Sequence, residues 1–301
     1  METGAYFMSN DQIMPFNFRE QKYLNDIGFT RGVSVFDAME ARKDVIFHFG
    51  DHIERFRNSA IHICSEKYFD AVVEPVLLDR TAELLRQNNF YESIVKIYLT
   101  AGETESLLLP ENPNLYILVN ERSKNLAIKK TIKLAVINYK REFPNIKHTN
   151  YFAPITAMSD FKRQGEEIDN VLYLDSRTFC SSRVLECATM NIFMIGGDGC
   201  LLTPPPEMIL PGVTRMIILG LAKKNRNFFD IKSIKEKYFS LLDLLKAKEV
   251  FITSTSHGVK PVVLINYRRF DKEFEIGERT LLLQKSFNEY REQYFKSRGG
   301  A

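Results

Sequence analysis

The chain has 301 residues, 45% of them hydrophobic and 26% charged, a length that admits one large domain or two of about 150 residues each. That composition can bury a sizeable core, and it excludes a disordered chain, a collagen and a small disulfide scaffold. Lysine and arginine number 41 against 38 acidic residues, too even a balance to draw the whole protein to nucleic acid or to an anionic membrane, although a local cationic pocket stays open.

Met1 to Glu20 lacks the basic start and continuous apolar core of a signal peptide. No run reaches the roughly 18 to 20 apolar residues of a membrane helix. The four cysteines, Cys64, Cys180, Cys187 and Cys200, form no Cys-x-x-Cys pair. They read as reduced thiols of a cytoplasmic protein without a zinc centre.

In chain order, Asp44 to Phe49 (DVIFHF) reads as a strand, and Asp51 as the N-cap of a helix with Glu54 completing a capping box. In that helix Ile53, Phe56, Ala60, Ile61 and Cys64 share one face. His48 and His52 have no third ligand nearby, so a structural role is expected for them rather than a metal. A second helix is expected from about Val72 to Gln87, stopped by Asn88 and Asn89. Two strand-like runs follow, Ser93 to Thr100 and Asn114 to Val119, completing a layered α+β unit.

Residues 121–131 hold the most polar stretch between two strand-like runs and are the expected linker, dividing a small N-terminal domain (1–120) from a larger domain (132–301). The pattern then restarts with a strand Ile132 to Asn138, a helix Pro154 to Gln164 ended by Gly165, and a strand Val171 to Leu174. Gly196, Gly197, Asp198 and Gly199 between NIFMI and CLLT signal a hairpin. They are no phosphate loop, because a strand follows where a helix would have to open. A helix from Val213, with Val213, Met216, Ile217 and Leu221 inside, a strand Glu249 to Thr253 and a helix from about Glu278 to Phe295 close the chain.

Four distant segments carry residue types suited to an anionic, electron-withdrawing cofactor. Lys147, just past a strand, is either an amine for an aldehyde or a solvated loop lysine. Tyr151 after it is either a phenol at the same site or a packed aromatic with a wet tip. Leu210-Pro211-Gly212-Val213-Thr214-Arg215 leads into a helix whose N-terminal N–H groups either seat a phosphate or only make a turn. The hydroxyl cluster Ser254-Thr255-Ser256 before His257 either closes around phosphate or carboxylate oxygens or forms turns. Arg55 is either a bidentate phosphate ligand or a solvated or salt-bridged helix arginine. Glu186, among small and apolar neighbours, either faces a cation such as a pyridinium or ends a strand at the surface. The short basic clusters at Lys124, Lys129, Lys130 and Lys133 and at Arg268 and Arg269 read as solvated faces, not a nucleic-acid stripe.

Taken together and in this order, GFTRGVSVFDAM (Gly28 to Met39), DHIERFRNSA, KHTNY, LECATMNIF, LTPPPEMILPGVTR and FITSTSHGVKPV resemble the fold type IV (class IV) pyridoxal-phosphate-dependent aminotransferases. That group includes branched-chain aminotransferases, D-amino-acid aminotransferases and aminodeoxychorismate lyases. The resemblance implies a two-domain α+β fold like that of the D-amino-acid aminotransferases, with pyridoxal 5'-phosphate in the cleft between the domains, working as a homodimer on an amino acid and a 2-oxo acid, without nucleic acid, membrane or metal. Lys147 matches the Schiff-base lysine, Tyr151 the tyrosine at the cofactor O3′, and Glu186 the acid at the pyridine nitrogen. Arg55, the backbone of Val213, Thr214 and Thr255 match the phosphate set, and Leu210 the residue packed on the ring. Phe36, Lys96, Ser256 and His257 fall at substrate-binding positions.

The D-enzymes carry an arginine in a Thr-Arg-Gly motif where this chain has Thr100-Ala101-Gly102, which disfavours a D-amino acid. Lys96 stands where branched-chain enzymes have arginine and some lyases have lysine. Tyr151 agrees with the aminotransferases, whereas the Glu186-Cys187-Ala188 context has counterparts among lyases. The resemblance therefore implies an aminotransferase using an L-branched-chain or similar apolar amino acid and 2-oxoglutarate, with a 4-amino-4-deoxychorismate lyase as the alternative.

Overall fold

A computed structural model describes residues 26–104, 106–122, 129–175, 182–267 and 270–299, with the backbone of 3–9 and 12–15. The chain forms two compact units, and they are not simple halves of it: Met1–Leu126, Ile146–Asn150 and Glu292–Ala301 make one, Ala127–Asn145 and Tyr151–Arg291 the other. Two pieces that chain order would assign to the second unit thus pack with the first, and one of them carries Lys147. Of the residues singled out in the sequence, Lys124, Cys180, Arg268 and Arg269 lie outside the described ones, as does 123–128 of the expected linker.

In the first unit the elements run β1 (Thr3–Ser9), β2 (Gln12–Pro15), α1 (Ile27–Thr30), β3 (Ser34–Arg42), β4 (Val45–Ile46), α2 (Phe49–Ala60), α3 (Glu66–Tyr68), a π-turn at Phe69–Val73, α4 (Glu74–Asn88), β5 (Glu92–Thr100) and β6 (Asn114–Glu121). Among the described residues the six strands form one antiparallel sheet in the order β2-β1-β6-β5-β3-β4. Alternation along β5 buries Ser93, Val95, Ile97 and Leu99 on one face and leaves Ile94, Lys96, Tyr98 and Thr100 half-buried on the other. The buried face packs with Ile53, Phe56 and Ala60 of α2 and Leu77, Leu84 and Leu85 of α4 in one apolar core.

Two local expectations are corrected here. The strand expected over Asp44 to Phe49 shrinks to Val45–Ile46, and α2 begins at Phe49, not after Asp51. The chain turns into the helix through His48 in the left-handed region (φ 53°), with no side-chain cap bond. Asp51 therefore sits in the first turn, where its carboxylate meets His48 Nδ1 at 2.6 Å, instead of capping. Asn89, also left-handed at φ 50°, ends α4 as anticipated.

The second unit carries β7 (Ile132–Asn138), α5 (Phe152–Arg163), β8 (Asn170–Asp175), β9 (Arg183–Cys187), β10 (Asn191–Ile195), β11 (Cys200–Thr203), α6 (Val213–Lys224), β12 (Ser233–Glu236), α7 (Leu241–Leu245), β13 (Glu249–Ser254), β14 (Gly258–Tyr267), β15 (Phe270–Glu273) and the first part of α8 (Glu278–Ser297). Among the described residues its strands order as β12-β11-β10-β13-β14-β7-β8-β9, with β15 on β14. β7 runs parallel to both β8 and β14, and β10 and β11 form the expected antiparallel hairpin. The central strands read as near-continuous apolar runs because both of their faces are covered: every residue of β10, β11 and Asn170 to Leu174 of β8 is buried. α6 corrects one expected position. Met216 is exposed, and Ile218, Leu219 and Ala222 join Val213 and Ile217 inside.

Candidate active site

On the first unit, the segment carrying Lys147 is laid along β3. Phe36 N–H donates to the Lys147 carbonyl at 2.9 Å, Val35 bridges His148, and Thr149 N–H donates to the Ser34 carbonyl at 3.1 Å. The backbone N–H of Lys147 donates to Ser59 Oγ on α2 at 3.0 Å. These bonds replace a regular element, so a stretch that reads as loop is as fixed as a strand. The side chain crosses the half-buried face of the sheet, where Nζ lies 4.5 Å from the Phe36 ring centroid. Phe36 stacks on Tyr98 at 5.6 Å. In register beside them stand Ala38 opposite Lys96, Lys96 opposite Leu118, and Tyr98 opposite Tyr116. The amine thus lies against Phe36, on a face of the sheet whose register also carries Tyr98, Tyr116, Leu118 and Lys96.

Arg55 lies on the other side of β3. Both it and Asp37 are buried, and its Nε and one terminal nitrogen donate to the two Asp37 oxygens at 2.8 and 2.7 Å. His52, one turn earlier on α2, contacts Asp37 Oδ1 through Nδ1 at 2.8 Å. Burial alone would raise the Asp37 carboxyl, but the Arg55 and His52 contacts outweigh it and hold it well below the usual carboxylate range. Burial pushes His52 down against the pull of Asp37, and because a carboxylate only accepts, Nδ1 is the donor of their contact. Asp37 escaped the sequence reading, although an acid at an inward position between Val35 and Met39 was a visible signal that a buried cation must lie opposite.

On the second unit, Glu186 is the penultimate residue of β9 and is buried, not at a surface strand end. Its Oε2 accepts the Leu210 N–H at 3.0 Å and the Asn191 amide at 3.4 Å, and Oε1 lies 3.5 Å from Nε of Arg141. Asn191 also donates to the Leu210 carbonyl at 2.9 Å. Burial raises the Tyr173 phenol, with Tyr151 and Glu186 adding to the effect, and burial likewise raises the Cys187 thiol beside Glu186, so neither competes as an acid at neutral pH.

α6 opens at Gly212 as N-cap with no side-chain cap bond, so its leading N–H groups, with Val213 and the buried Thr214 in the first turn, present the positive end of a twelve-residue helix. Gly212 is required by close approach: a Cβ there would stand 2.1 Å from Asn191 Oδ1. Thr255, Ser256 and His257 form the turn after β13, in which His257 Nδ1 meets Ser256 Oγ at 2.9 Å. Tyr151 is half-buried at the start of α5 and borders an open cavity of about 700 Å³ that also reaches Pro154, Met158, Asn170 and Ala188.

Three of the other candidates have acidic partners. His48 contacts Asp51, Lys129 pairs with Asp169, and Lys133 with Glu167. Cys64, Cys187 and Cys200 are free thiols. Among the described residues no His, Cys, Asp and Glu group could hold a metal ion, and no helix is long and apolar enough to cross a membrane. The sequence reading missed Asp37, Ser59, Arg141 and Asn191. Asp37 aside, they act through partners far away in the chain or on another element, which no local pattern signals.

The first unit thus offers an amine beside an aromatic ring and a buried guanidinium, and the second a buried acid and a helix N-terminus without a side-chain cap. The family model for class IV amino-transferases matches residues 34–265, and the chain belongs to that family. It is 28% identical over 283 residues to a Methanocaldococcus jannaschii protein provisionally assigned as a branched-chain-amino-acid aminotransferase, covering 89% of this chain and 91% of that one. It is 26% identical over 259 residues to a D-alanine aminotransferase of Listeria innocua, covering 81% and 82%. Among solved structures, a protein of Legionella pneumophila provisionally assigned as a 4-amino-4-deoxychorismate lyase has the same fold, with a TM-score of 0.73 at 21% identity over 91% of this chain and 97% of that one. Class IV aminotransferases depend on pyridoxal phosphate, and the residues present fit it: cationic and N–H donors suit the phosphate, an amine the aldehyde, and a buried carboxylate the ring nitrogen.

Proposed function

We propose that the enzyme transfers the amino group between an L-branched-chain or similar apolar amino acid and 2-oxoglutarate. When bound, pyridoxal phosphate supplies an electron sink for the charge left when the substrate α-proton departs. Lys147 would hold it covalently through Nζ and carry the proton to and from the α-carbon. Glu186 would keep a proton on the ring nitrogen, and Tyr151 would hydrogen-bond O3′. Leu210 would pack on the ring. Arg55, the N–H groups of Val213 and Thr214, and the Thr255 hydroxyl would hold the phosphate. Asp37 then orients Arg55, whose fork it grips by one edge.

The observation that carries the substrate class is the sheet face that Lys147 lies on. Phe36, Tyr98, Tyr116 and Leu118 offer an apolar side chain a surface to displace water from, and Lys96 on the same face offers a cation to the second carboxylate of 2-oxoglutarate. Ser256 and His257 would receive the α-carboxylate. A D-amino acid is disfavoured because Ala101 stands in Thr100-Ala101-Gly102, where an arginine would be needed to trap its carboxylate.

A homodimer is the proposed working form, in the cytoplasm. Leu107, Leu108 and Leu109, in the connection between β5 and β6, expose 94%, 76% and 50% of their surface, and a run of bare leucines on a loop fits contact with a second copy. The deciding experiment is the absorbance spectrum of the purified chain from about 300 to 500 nm before and after L-leucine, L-glutamate or D-alanine. Bleaching of a visible band by L-leucine and L-glutamate supports the proposal. A band indifferent to all three favours the lyase reaction, and one bleached by D-alanine alone overturns the stereochemical assignment.

A further inference from the structure

Arg141 has a place in the second unit that the reaction as described above does not use. It follows β7, is buried, and donates to the main-chain carbonyls of Phe143, at 3.3 Å, and Pro144, while its Nε lies 3.5 Å from Glu186 Oε1. Pro144 is three residues before Lys147. Between them Asn145, with its amide nitrogen turned to the carbonyls of Pro206 and Ile209 at 2.8 and 3.0 Å, ties the same stretch to the loop ahead of Leu210. One guanidinium therefore touches both the carboxylate assigned to the ring nitrogen and the root of the segment that delivers the lysine.

We propose that Arg141 is a positioning residue that keeps Glu186 ionised and aimed, and so keeps the proton on the ring nitrogen of the cofactor. The inference rests on the reading that Glu186 faces that nitrogen. The groups around Glu186 include Arg141 from the turn after β7, Tyr173 on β8, Cys187 on its own strand, Asn191 on β10 and the Leu210 N–H. Of these Arg141 alone is cationic. A carboxylate sharing a proton with a pyridine can exist as carboxylate and pyridinium or as acid and neutral ring. A guanidinium in contact with the carboxylate, and farther from the ring, attracts the carboxylate more than it repels the pyridinium. It therefore favours the charged pair, which is the form that withdraws electrons.

The test is nitrogen NMR of the full chain loaded with pyridoxal phosphate labelled with 15N in the ring, followed against pH. Below its deprotonation, the ring-nitrogen signal is expected to move in Arg141→Gln from the protonated toward the unprotonated position, as the shared proton passes to the Glu186 carboxyl. Arg141→Lys, which keeps the charge without the fork, should give a smaller shift of the same sign, and it serves alone if the glutamine variant does not fold. A signal unmoved in these variants overturns the inference. Glu186→Gln is the control. If it moves the signal and Arg141→Gln does not, only the role of Arg141 fails. If it leaves the nitrogen signal as it was, the assignment of Glu186 fails and the inference with it.

Discussion

Asp37 on β3 and Arg55 on α2 are joined edge to edge by two hydrogen bonds of 2.8 and 2.7 Å in the interior of the first unit, with His52 on the same carboxylate. The pair locks α2 to the sheet, and the Lys147 segment is bonded to both, to Phe36 on β3 and to Ser59 on α2. Asp37→Asn leaves the guanidinium buried without its counter-charge. The expected cost is about 3 to 5 kcal/mol of stability, read by urea unfolding. Cofactor retention on dialysis should fall along with it, and unchanged values of both would show the pair to be idle.

The same cluster sets an acid limit. His52 has its pKa lowered on folding, so below the unfolded histidine value of about 6.5 the unfolded chain takes up a proton more readily than the folded one. Stability is expected to decline as pH falls through that range. Asp37, also depressed, contributes stability that is complete above the unfolded aspartate value of about 3.9 and is lost as pH falls below it toward its lower folded value. Urea midpoints taken from pH 8 to 4 should fall mainly below 6.5, and His52→Gln should flatten that first decline.

Lys147→Ala should abolish covalent attachment of pyridoxal phosphate and turnover together. Mass spectrometry after borohydride reduction reads the first, and full activity in this variant would remove the central assignment.

Gly212 and Gly220, eight residues apart, should respond in opposite directions to alanine. A Cβ at 212 meets Asn191, which holds both Glu186 and the Leu210 carbonyl, whereas nothing lies within 4 Å of one at 220. Gly212→Ala is expected to cost about 1 to 3 kcal/mol and to weaken cofactor binding. Gly220→Ala, in the exposed interior of α6, should stabilise by about 0.5 to 1 kcal/mol. Thermal unfolding of the two variants side by side decides the matter.

Replacing Leu107 and Leu108 with aspartate should leave the fold intact, since both are exposed, and shift the proposed dimer to monomer in light scattering beside the unaltered chain. An unchanged mass would mean that the leucines do not form the contact.

Much of this protein was determined by the sequence on its own. β7 lies at Ile132–Asn138 as the apolar run implied, the hairpin turns at Gly196 to Gly199, and α6 opens at Val213. These are local outcomes of periodicity, turn chemistry and the lack of a donor in proline. The separate motifs, read together, also sufficed for the family, because the chemistry of one cofactor dictates which side chains must recur around it. Tertiary structure decided the rest. That α2 starts at Phe49 depended on a left-handed His48 that no capping pattern encodes, and that the Lys147 loop is held like a strand depended on β3, more than a hundred residues earlier. Asp37 with Arg55 and Glu186 with Arg141 are pairs whose members meet only after the strands have taken their register. A buried charge is tolerated only beside its partner, and partners are chosen by packing in space, not by spacing along the chain.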